Sequence, residues 1–213
     1  LSFKCLNLQS FGIEEGVDFL RKRTNISFDQ IDAQELVIEV DGLPLALDQA
    51  AAYIRASKIN IQNYLKQLKK EKLKILNRKK AKQPTTEVDK ARLSVKSTWT
   101  MNMDCIKEEF PIAQKITYIL SFLSPRCIPR TIFNPGSPKL QDLDLRDALS
   151  NDLEYVLLTL TKLSLFEEAS KTTIRVHRLV QEIIKEEIIE GGHLNDTLQN
   201  VQRILTYAIE VET

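Results

Sequence analysis

Apolar residues recur at helical spacing along most of this chain, and they alternate in the manner of strands in only one short region. In the first half, four stripes with three- and four-residue spacing begin at Ile13, Ala33, Leu47 and Ile61. The pattern resumes from about Ser94, and a last stripe starts at Leu194. Such stripes are the buried faces of amphipathic helices, so the chain is predicted to be mainly α.

The exception lies late in the chain. Leu165–Glu167 and Thr173–Val176 flank the polar turn Ala169–Lys171, which predicts a short β-hairpin. Helices are predicted before this hairpin, and another begins at about Arg178. Three helices, a two-stranded wing and a closing helix make a winged helix. The predicted fold class is therefore a mainly α chain, a helical bundle followed by a winged helix with a small β-hairpin.

Local composition divides the chain. It turns basic from Lys66 to Lys82 and loses apolar periodicity from Asn77 to Lys90, which marks a domain boundary. We predict a helical subdomain at 1–80, a winged-helix subdomain at 81–190, and a connecting helix at 191–213. Because the sequence begins with Leu inside an apolar run and ends in an uncapped stripe, we expect a longer parent protein.

Helix ends in the first half carry specific signals. Ser27–Gln30 fits a capping box that opens the second helix. Gly42 lies where a left-handed residue ends that helix, and Pro44 suits the first position of the next. These residues predict a tight corner between two helices.

Composition and cysteine usage bear on where this protein is located in the cell and which partners it can attract. With 213 residues, 43% of them hydrophobic, the chain can bury a core. Its 30 basic and 29 acidic residues give a net charge of +1, so no overall field attracts nucleic acid or a membrane. Cys5, Cys105 and Cys127 lack disulfide or metal-ligand spacing and are interpreted as reduced thiols, and no secretory or membrane-spanning segment is evident. We expect a cytoplasmic protein.

The common catalytic and phosphate-binding motifs are absent from the sequence. No GxxxxGK[ST], GxGxxG, HExxH or GxSxG pattern occurs, and two histidines offer few metal ligands. Most carboxylates fall on the polar faces of predicted helices, where solvation explains them. We therefore expect no catalytic residues, no metal site and no enzyme activity in this chain itself.

Two short segments stand out from the helical background. Gly42–Leu47 reads G-L-P-L-A-L, and its plain interpretation is a helix corner. Val176–Gln181 reads V-H-R-L-V-Q at the junction of the hairpin and the last helix. Strand alternation places His177 off the core face, so its plain interpretation is a surface or capping histidine.

Together with Leu120–Pro125, these segments resemble the C-terminal part of the NB-ARC module of STAND-class signalling ATPases. The likeness is greatest to members whose module is followed by tetratricopeptide repeats, and it covers nearly the whole chain. It implies an ADP/ATP-controlled switch whose P-loop subdomain lies outside this sequence, so the parent would be a STAND-class ATPase that uses Mg. It also implies partners: that N-terminal subdomain, C-terminal helical repeats, and other copies after activation.

The resemblance assigns nucleotide contacts to particular residues. The corner of Gly42, Leu43 and Pro44 would pack by the adenine, and His177 would reach the β-phosphate. Many members carry Met-His-Asp where this chain has Val-His-Arg. Arg178 would then either contact phosphate or face solvent.

Two other functions fit parts of the sequence. A winged helix can bind nucleic acid, helped by a basic run comprising Lys69, Lys70, Lys72, Lys74, Arg78, Lys79, Lys80 and Lys82. Against this, the recognition helix would be Leu153–Leu163, which is nearly all apolar and is expected to be buried. The other alternative is an interaction scaffold without nucleotide control. Nucleic acid and membrane are not expected partners.

Overall fold

The computed structural model describes residues 10–78, 84–133 and 140–212. In these ranges the chain forms ten α-helices, one short 3-10 helix and a small antiparallel sheet. The helices are α1 (Ile13–Thr24), α2 (Gln30–Glu39), α3 (Pro44–Ser57), α4 (Ile61–Leu76), α5 (Glu87–Glu109), α6 (Ile112–Ser121), α7 (Leu143–Asn151), α8 (Leu153–Lys162), α9 (Arg178–Glu190) and α10 (Leu194–Glu212). The predicted class, mainly α with a small β-hairpin, is confirmed.

The chain forms two compact units, Leu1–Thr98 and Trp99–Thr213. Helix α5 contributes residues to both. The boundary predicted at residue 80 lies outside the described residues, and the second predicted boundary coincides with the end of α9 at Glu190. The subdomain assignment therefore stays a prediction.

The first unit is a helical bundle. Helix α1 packs against α2 and α3, and α4 packs against the same two helices. Leu20, Leu36 and Ile54 are fully buried at the centre. Ala50 and Ala51 on α3 are also buried, and their small side chains allow neighbouring helices to approach closely. Burial of these stripes is the main stabilising contribution to the bundle.

The second unit is built around α6. Helices α7, α9 and α10 all pack against it, and α10 also contacts the short 3-10 helix Arg130–Phe133. Ile116 on α6 and Ile184 on α9 are fully buried, as is Phe133. This packing fixes the start of α9, where His177 lies.

A three-stranded sheet in the second unit contains β1 (Ile128–Pro129), β2 (Glu167–Ser170) and β3 (Thr173–Arg175) in the order β1-β3-β2. The hairpin of β2 and β3 was predicted, although β2 begins two residues later than expected. Strand β1, paired through Ile128 and Ile174, was not predicted. The sheet therefore has an additional edge strand that holds the hairpin against the chain after α6.

Two helix starts differ from their predictions. Helix α2 is capped by Asp29 rather than Ser27, because the Asp29 carboxylate accepts hydrogen bonds from the amides of Ile31 and Asp32. Helix α5 begins at Glu87, seven residues before the predicted Ser94. A reciprocal pair stabilises that start: Thr86 Oγ1 accepts from the Asp89 amide at 3.1 Å, and Asp89 Oδ2 accepts from the Thr86 amide at 3.1 Å.

Candidate functional site

Gly42 forms the corner between α2 and α3. It has φ of +61°, its amide donates to the Val37 carbonyl at 2.9 Å, and its own carbonyl accepts from the Phe11 amide at 2.9 Å. A Cβ at this position would lie 2.3 Å from the Phe11 carbonyl oxygen. Both the backbone conformation and the space therefore require glycine.

Leu43 and Pro44 start the next helix. Leu43 is the N-cap of α3 in an extended conformation, and Pro44 occupies the first turn, where the missing amide hydrogen costs nothing. Gly42 is buried, Leu43 is half-buried and Pro44 is exposed. The corner thus presents a rigid apolar ring to its surroundings on a fixed backbone.

Asp48 lies one turn further along α3 and is held by a second helix. Arg23 on α1 donates through Nε to Asp48 Oδ1 at 2.5 Å, with both side chains about one-third exposed. This ion pair joins the end of α1 to the first turns of α3. The corner is therefore restrained at two points: Gly42 bonds to Phe11 before Pro44, and Asp48 pairs with Arg23 after it.

His177 lies at the junction of β3 and α9, as its sequence position indicated. Its backbone is extended, with φ of −61° and ψ of 132°, and it is the N-cap of α9. Its Nδ1 accepts a hydrogen bond from the Leu179 amide at 3.2 Å, while the side chain is exposed. Because Nδ1 is an acceptor here, the neutral imidazole carries its proton on Nε2, which can donate outward.

Arg178 follows directly and points into solvent. Its side chain is 83% exposed, and its Nε lies 3.6 Å from Glu182 Oε1 one turn along the helix. Such an exposed pair contributes little to stability, so the guanidinium can exchange this partner for another anion at small cost. On the preceding strand Arg175 pairs with Glu167 at 3.5 Å, across the hairpin.

Gln181 is a residue whose role the sequence did not reveal. It is 4% exposed, and its side-chain amide donates to the carbonyls of Leu120 at 3.1 Å and Leu123 at 2.9 Å. The Val176 amide also donates to the Pro125 carbonyl at 3.2 Å. Three hydrogen bonds therefore join Val176–Gln181 to Leu120–Pro125, two of the segments that carried the resemblance.

The structure places the candidate residues in two groups. Gly42, Leu43 and Pro44 are contiguous at the corner in the first unit. His177 and Arg178 are contiguous at the start of α9 in the second unit. In the first group, exposed Pro44 lies close after Gly42, whose main chain is hydrogen-bonded on both sides. In the second, the exposed residues directly follow Val176, whose amide donates to Pro125.

The basic run is largely neutralised where the structure describes it. Lys69 pairs with Glu35 at 2.5 Å, Lys72 with Glu39 at 3.0 Å, and Lys74 with Glu71 at 2.8 Å. Residues 79–83 lie outside the described residues. These carboxylates lower the net positive charge that a phosphate backbone would meet along the run.

Helix α8, the recognition helix of the nucleic-acid alternative, is only partly buried. Val156, Leu157 and Leu160 face the core, but Tyr155 is 51% and Leu158 48% exposed. The expectation of a buried helix thus holds for one face. The exposed residues of this helix also include Glu154 and a single cation, Lys162, which is a poor match to a phosphate backbone. No helix in the described part of the chain is both long and apolar enough to cross a membrane.

Comparison with known proteins supports part of the resemblance. Over 210 residues, the chain is 30% identical to a nucleotide-binding leucine-rich repeat (NLR)-like protein of the fungus Hyaloscypha variabilis. The match covers 94% of this chain and 19% of that relative, so the chain spans about a fifth of its length. This supports a relationship of the NLR type, the coarse form of the NB-ARC resemblance.

A family profile matches a smaller region. Residues 101–191 match a domain of unknown function, DUF7779. The matched region starts within α5 and ends at Gly191, the C-cap of α9. It therefore contains α6, the sheet, His177 and Gln181, but not the corner at Gly42.

Proposed function

We propose that this chain is the regulatory part of an ADP/ATP-controlled signalling switch. In this proposal it closes over a nucleotide that a separate P-loop subdomain holds, and the closed state blocks oligomerisation. Pro44 contacts the adenine, and His177 contacts the β-phosphate through Nε2. The chain itself is not the catalyst.

The observation that carries the proposal is the similarity over nearly the whole chain to a protein named for nucleotide binding and leucine-rich repeats. That name describes the relative, which is about five times as long as the matched region. The sequence contains no phosphate-binding loop of its own, so in this proposal the phosphates are held by a subdomain outside it. We therefore favour a regulatory role for this chain over a catalytic activity of its own.

The geometry at His177 supports the same proposal. The imidazole uses Nδ1 to cap α9 and leaves Nε2–H directed away from the helix. The amides at the start of α9 add partial positive charge, which favours a phosphate near this position. Arg178 supplies a full positive charge beside it. No carboxylate immediately follows His177, so the acidic residue of the common Met-His-Asp pattern has no counterpart there.

Nucleotide release from a protein that carries both this chain and a P-loop subdomain tests the proposal. We expect His177→Ala and His177→Asn both to release ADP roughly ten- to a hundredfold faster, the size of one charge-assisted hydrogen bond. Asn can still cap the helix through its side-chain oxygen, but its shorter amide does not replace Nε2–H. Release is followed with a fluorescent ADP analogue, and assembly by light scattering.

The control is another capping residue. Asn60 caps α4 by accepting from the Asn63 amide at 2.8 Å, so Asn60→Ala loses a comparable cap without losing a candidate phosphate contact. It should retain ADP as the parent protein does. If His177→Asn also retains ADP normally while the protein binds ADP, His177 is only a cap. If the complete protein binds no ADP, the scaffold alternative is correct.

The isolated chain gives a second test. It lacks a phosphate-binding loop in its sequence, so we expect no micromolar ADP binding in calorimetry. Micromolar binding by residues 1–213 alone would contradict the division of the site between two subdomains.

A further inference from the structure

Two segments of the second unit run antiparallel to each other around His177. On its N-terminal side, Ile174 of β3 pairs with Ile128 of β1. Two residues later the Val176 amide donates to the Pro125 carbonyl at 3.2 Å. The chain after α6 therefore holds the backbone that leads into His177.

Contacts with the same segment resume on the C-terminal side of His177. The Gln181 side-chain amide donates to the carbonyls of Leu123 at 2.9 Å and Leu120 at 3.1 Å, and the residue is 4% exposed. The Gln181 main-chain amide donates to the His177 carbonyl at 3.0 Å. One residue therefore connects the backbone of His177 to the end of α6.

We call residues 120–128 the bracing segment, because their contacts flank His177 on both sides. Lys185, one turn further along α9, adds to them: its ammonium lies 5.3 Å from the centroid of the Phe122 ring. The His177 imidazole is not one of the bracing groups. Its Nδ1 accepts from the Leu179 amide, and the residue is exposed. The bracing segment thus holds the main chain at His177 and leaves the imidazole open to a ligand.

Hydrogen bonds to the bracing segment fix what apolar packing alone does not. Helices α6 and α9 pack through buried side chains, and such contacts are non-directional. A buried amide whose donors are satisfied by particular carbonyls permits far fewer arrangements of the two helices. Hydrogen bonds weaken beyond about 3.2 Å between donor and acceptor, so a displacement of several tenths of an ångström at the start of α9 matters to a contact made by His177.

We propose that Gln181 is a positioning residue that sets the direction of the His177 Nε2–H group, so that the bracing segment controls how firmly nucleotide is held. The inference rests on the proposed function, in which Nε2 contacts the β-phosphate. Gln181 is buried and acts through His177 rather than on the nucleotide. Its loss leaves the imidazole in the protein but displaces it from the phosphate.

The first measurement follows His177 in the ¹⁵N-labelled chain without nucleotide. Gln181→Met should shift the imidazole signals of His177 and the amide signal of Leu179, which lie outside direct reach of the substituted side chain. Ile188→Val is the control, because it removes a buried methyl group two turns further along α9 and no hydrogen bond. It should leave both signals in place.

Two results of this measurement would overturn the positioning role. One is unchanged His177 and Leu179 signals in Gln181→Met, and the other is an equal shift in Ile188→Val, which would indicate general loosening of the helix. If Gln181→Met does not fold, Gln181→Asn is measured instead. It keeps the amide but ends one methylene short of the two carbonyls, and should shift the same signals by less.

The second measurement is a double-mutant cycle of ADP release in a protein that also carries the P-loop subdomain. Gln181→Met alone should release ADP about three- to tenfold faster, less than His177→Ala, because the imidazole is still present. In the His177→Ala background the same change should accelerate release no further. Ile188→Val should leave release unchanged in either background.

The cycle separates failure of this inference from failure of the proposed function. Equal acceleration by Gln181→Met with and without His177 would show a purely structural contribution and overturn the positioning role. If His177→Ala itself leaves ADP release unchanged, the proposed phosphate contact is wrong, and the signals of the nucleotide-free chain then decide by themselves whether Gln181 positions the imidazole.

Discussion

The corner at Gly42 and the junction at His177 both place an exposed residue at the start of a helix, but they are built differently. The corner depends on backbone: Gly42 has a positive φ and exchanges hydrogen bonds with Val37 and Phe11 through its main chain. The junction depends on side chains, because His177 caps α9 and Gln181 anchors it. Substitution of Gly42 should therefore disturb folding, whereas at the junction the capping role of His177 can be separated from a ligand contact.

The largest expected effect is at the corner. In Gly42→Ala the new Cβ meets the Phe11 carbonyl at 2.3 Å, and the left-handed conformation adds strain. We expect a loss of more than about 3 kcal/mol in the free energy of unfolding, measured by urea denaturation with circular dichroism.

Gly192→Ala is the matched control for the corner. Gly192 has φ of +73°, yet a Cβ there would meet nothing within 4 Å. Only the conformational cost remains, about 1–2 kcal/mol. Equal losses in the two variants would show that contact with Phe11 does not restrain the corner.

The next effect is at the junction. Gln181→Met keeps the length of the side chain but removes the donor that serves the carbonyls of Leu120 and Leu123. Because Leu120 keeps a bond from the Leu123 amide, the main loss falls on Leu123, and we expect a cost of about 1–3 kcal/mol. Gln202→Met, an exposed change on α10, should alter the free energy of unfolding little. Similar losses in both would indicate that the Gln181 hydrogen bonds contribute nothing.

The sequence could predict the corner better than the junction for a physical reason. Gly42 and Pro44 report local backbone requirements, which residue type expresses directly. The role of Gln181 depends on carbonyls 58 and 61 residues away, and glutamine in a helix gives no sign of such a partner. Strand β1 was missed likewise, since Ile128–Pro129 is short and contains proline, and its partner β3 lies far along the chain.

The errors at helix starts were local and could have been avoided. Asp29 competes with Ser27 as a cap, and one oxygen of its carboxylate accepts from the amides of Ile31 and Asp32. For α5, Thr86 and Asp89 stand three apart, a capping-box spacing that extends the helix upstream of its apolar stripe. Both signals are visible in the sequence.

A smaller effect is expected when the cap is removed from His177. His177→Ala should lower the free energy of unfolding by about 1 kcal/mol, because the Leu179 amide loses its acceptor. His177→Asn should change it by only a few tenths, since Asn is among the best capping residues. Chemical denaturation of the two variants of the isolated chain measures the difference. If both variants lose the same amount, the imidazole contributes more than its cap to the folded junction.

The smallest effect on folding is expected at Pro44. Its ring is exposed in the first turn of α3, so Pro44→Leu removes the preset φ but leaves a new amide that water can reach. We expect a change of less than about 1 kcal/mol in the free energy of unfolding.

In a protein that also carries the P-loop subdomain, the same variant should release ADP faster, because the flat ring that contacts the adenine is lost. Pro111→Leu, at the exposed N-cap of α6, is the control and should leave ADP release unchanged. Loss of more than about 3 kcal/mol from Pro44→Leu would make the ring a structural element of the corner. In that case Pro44 would stabilise the fold, and His177 would remain the proposed nucleotide contact.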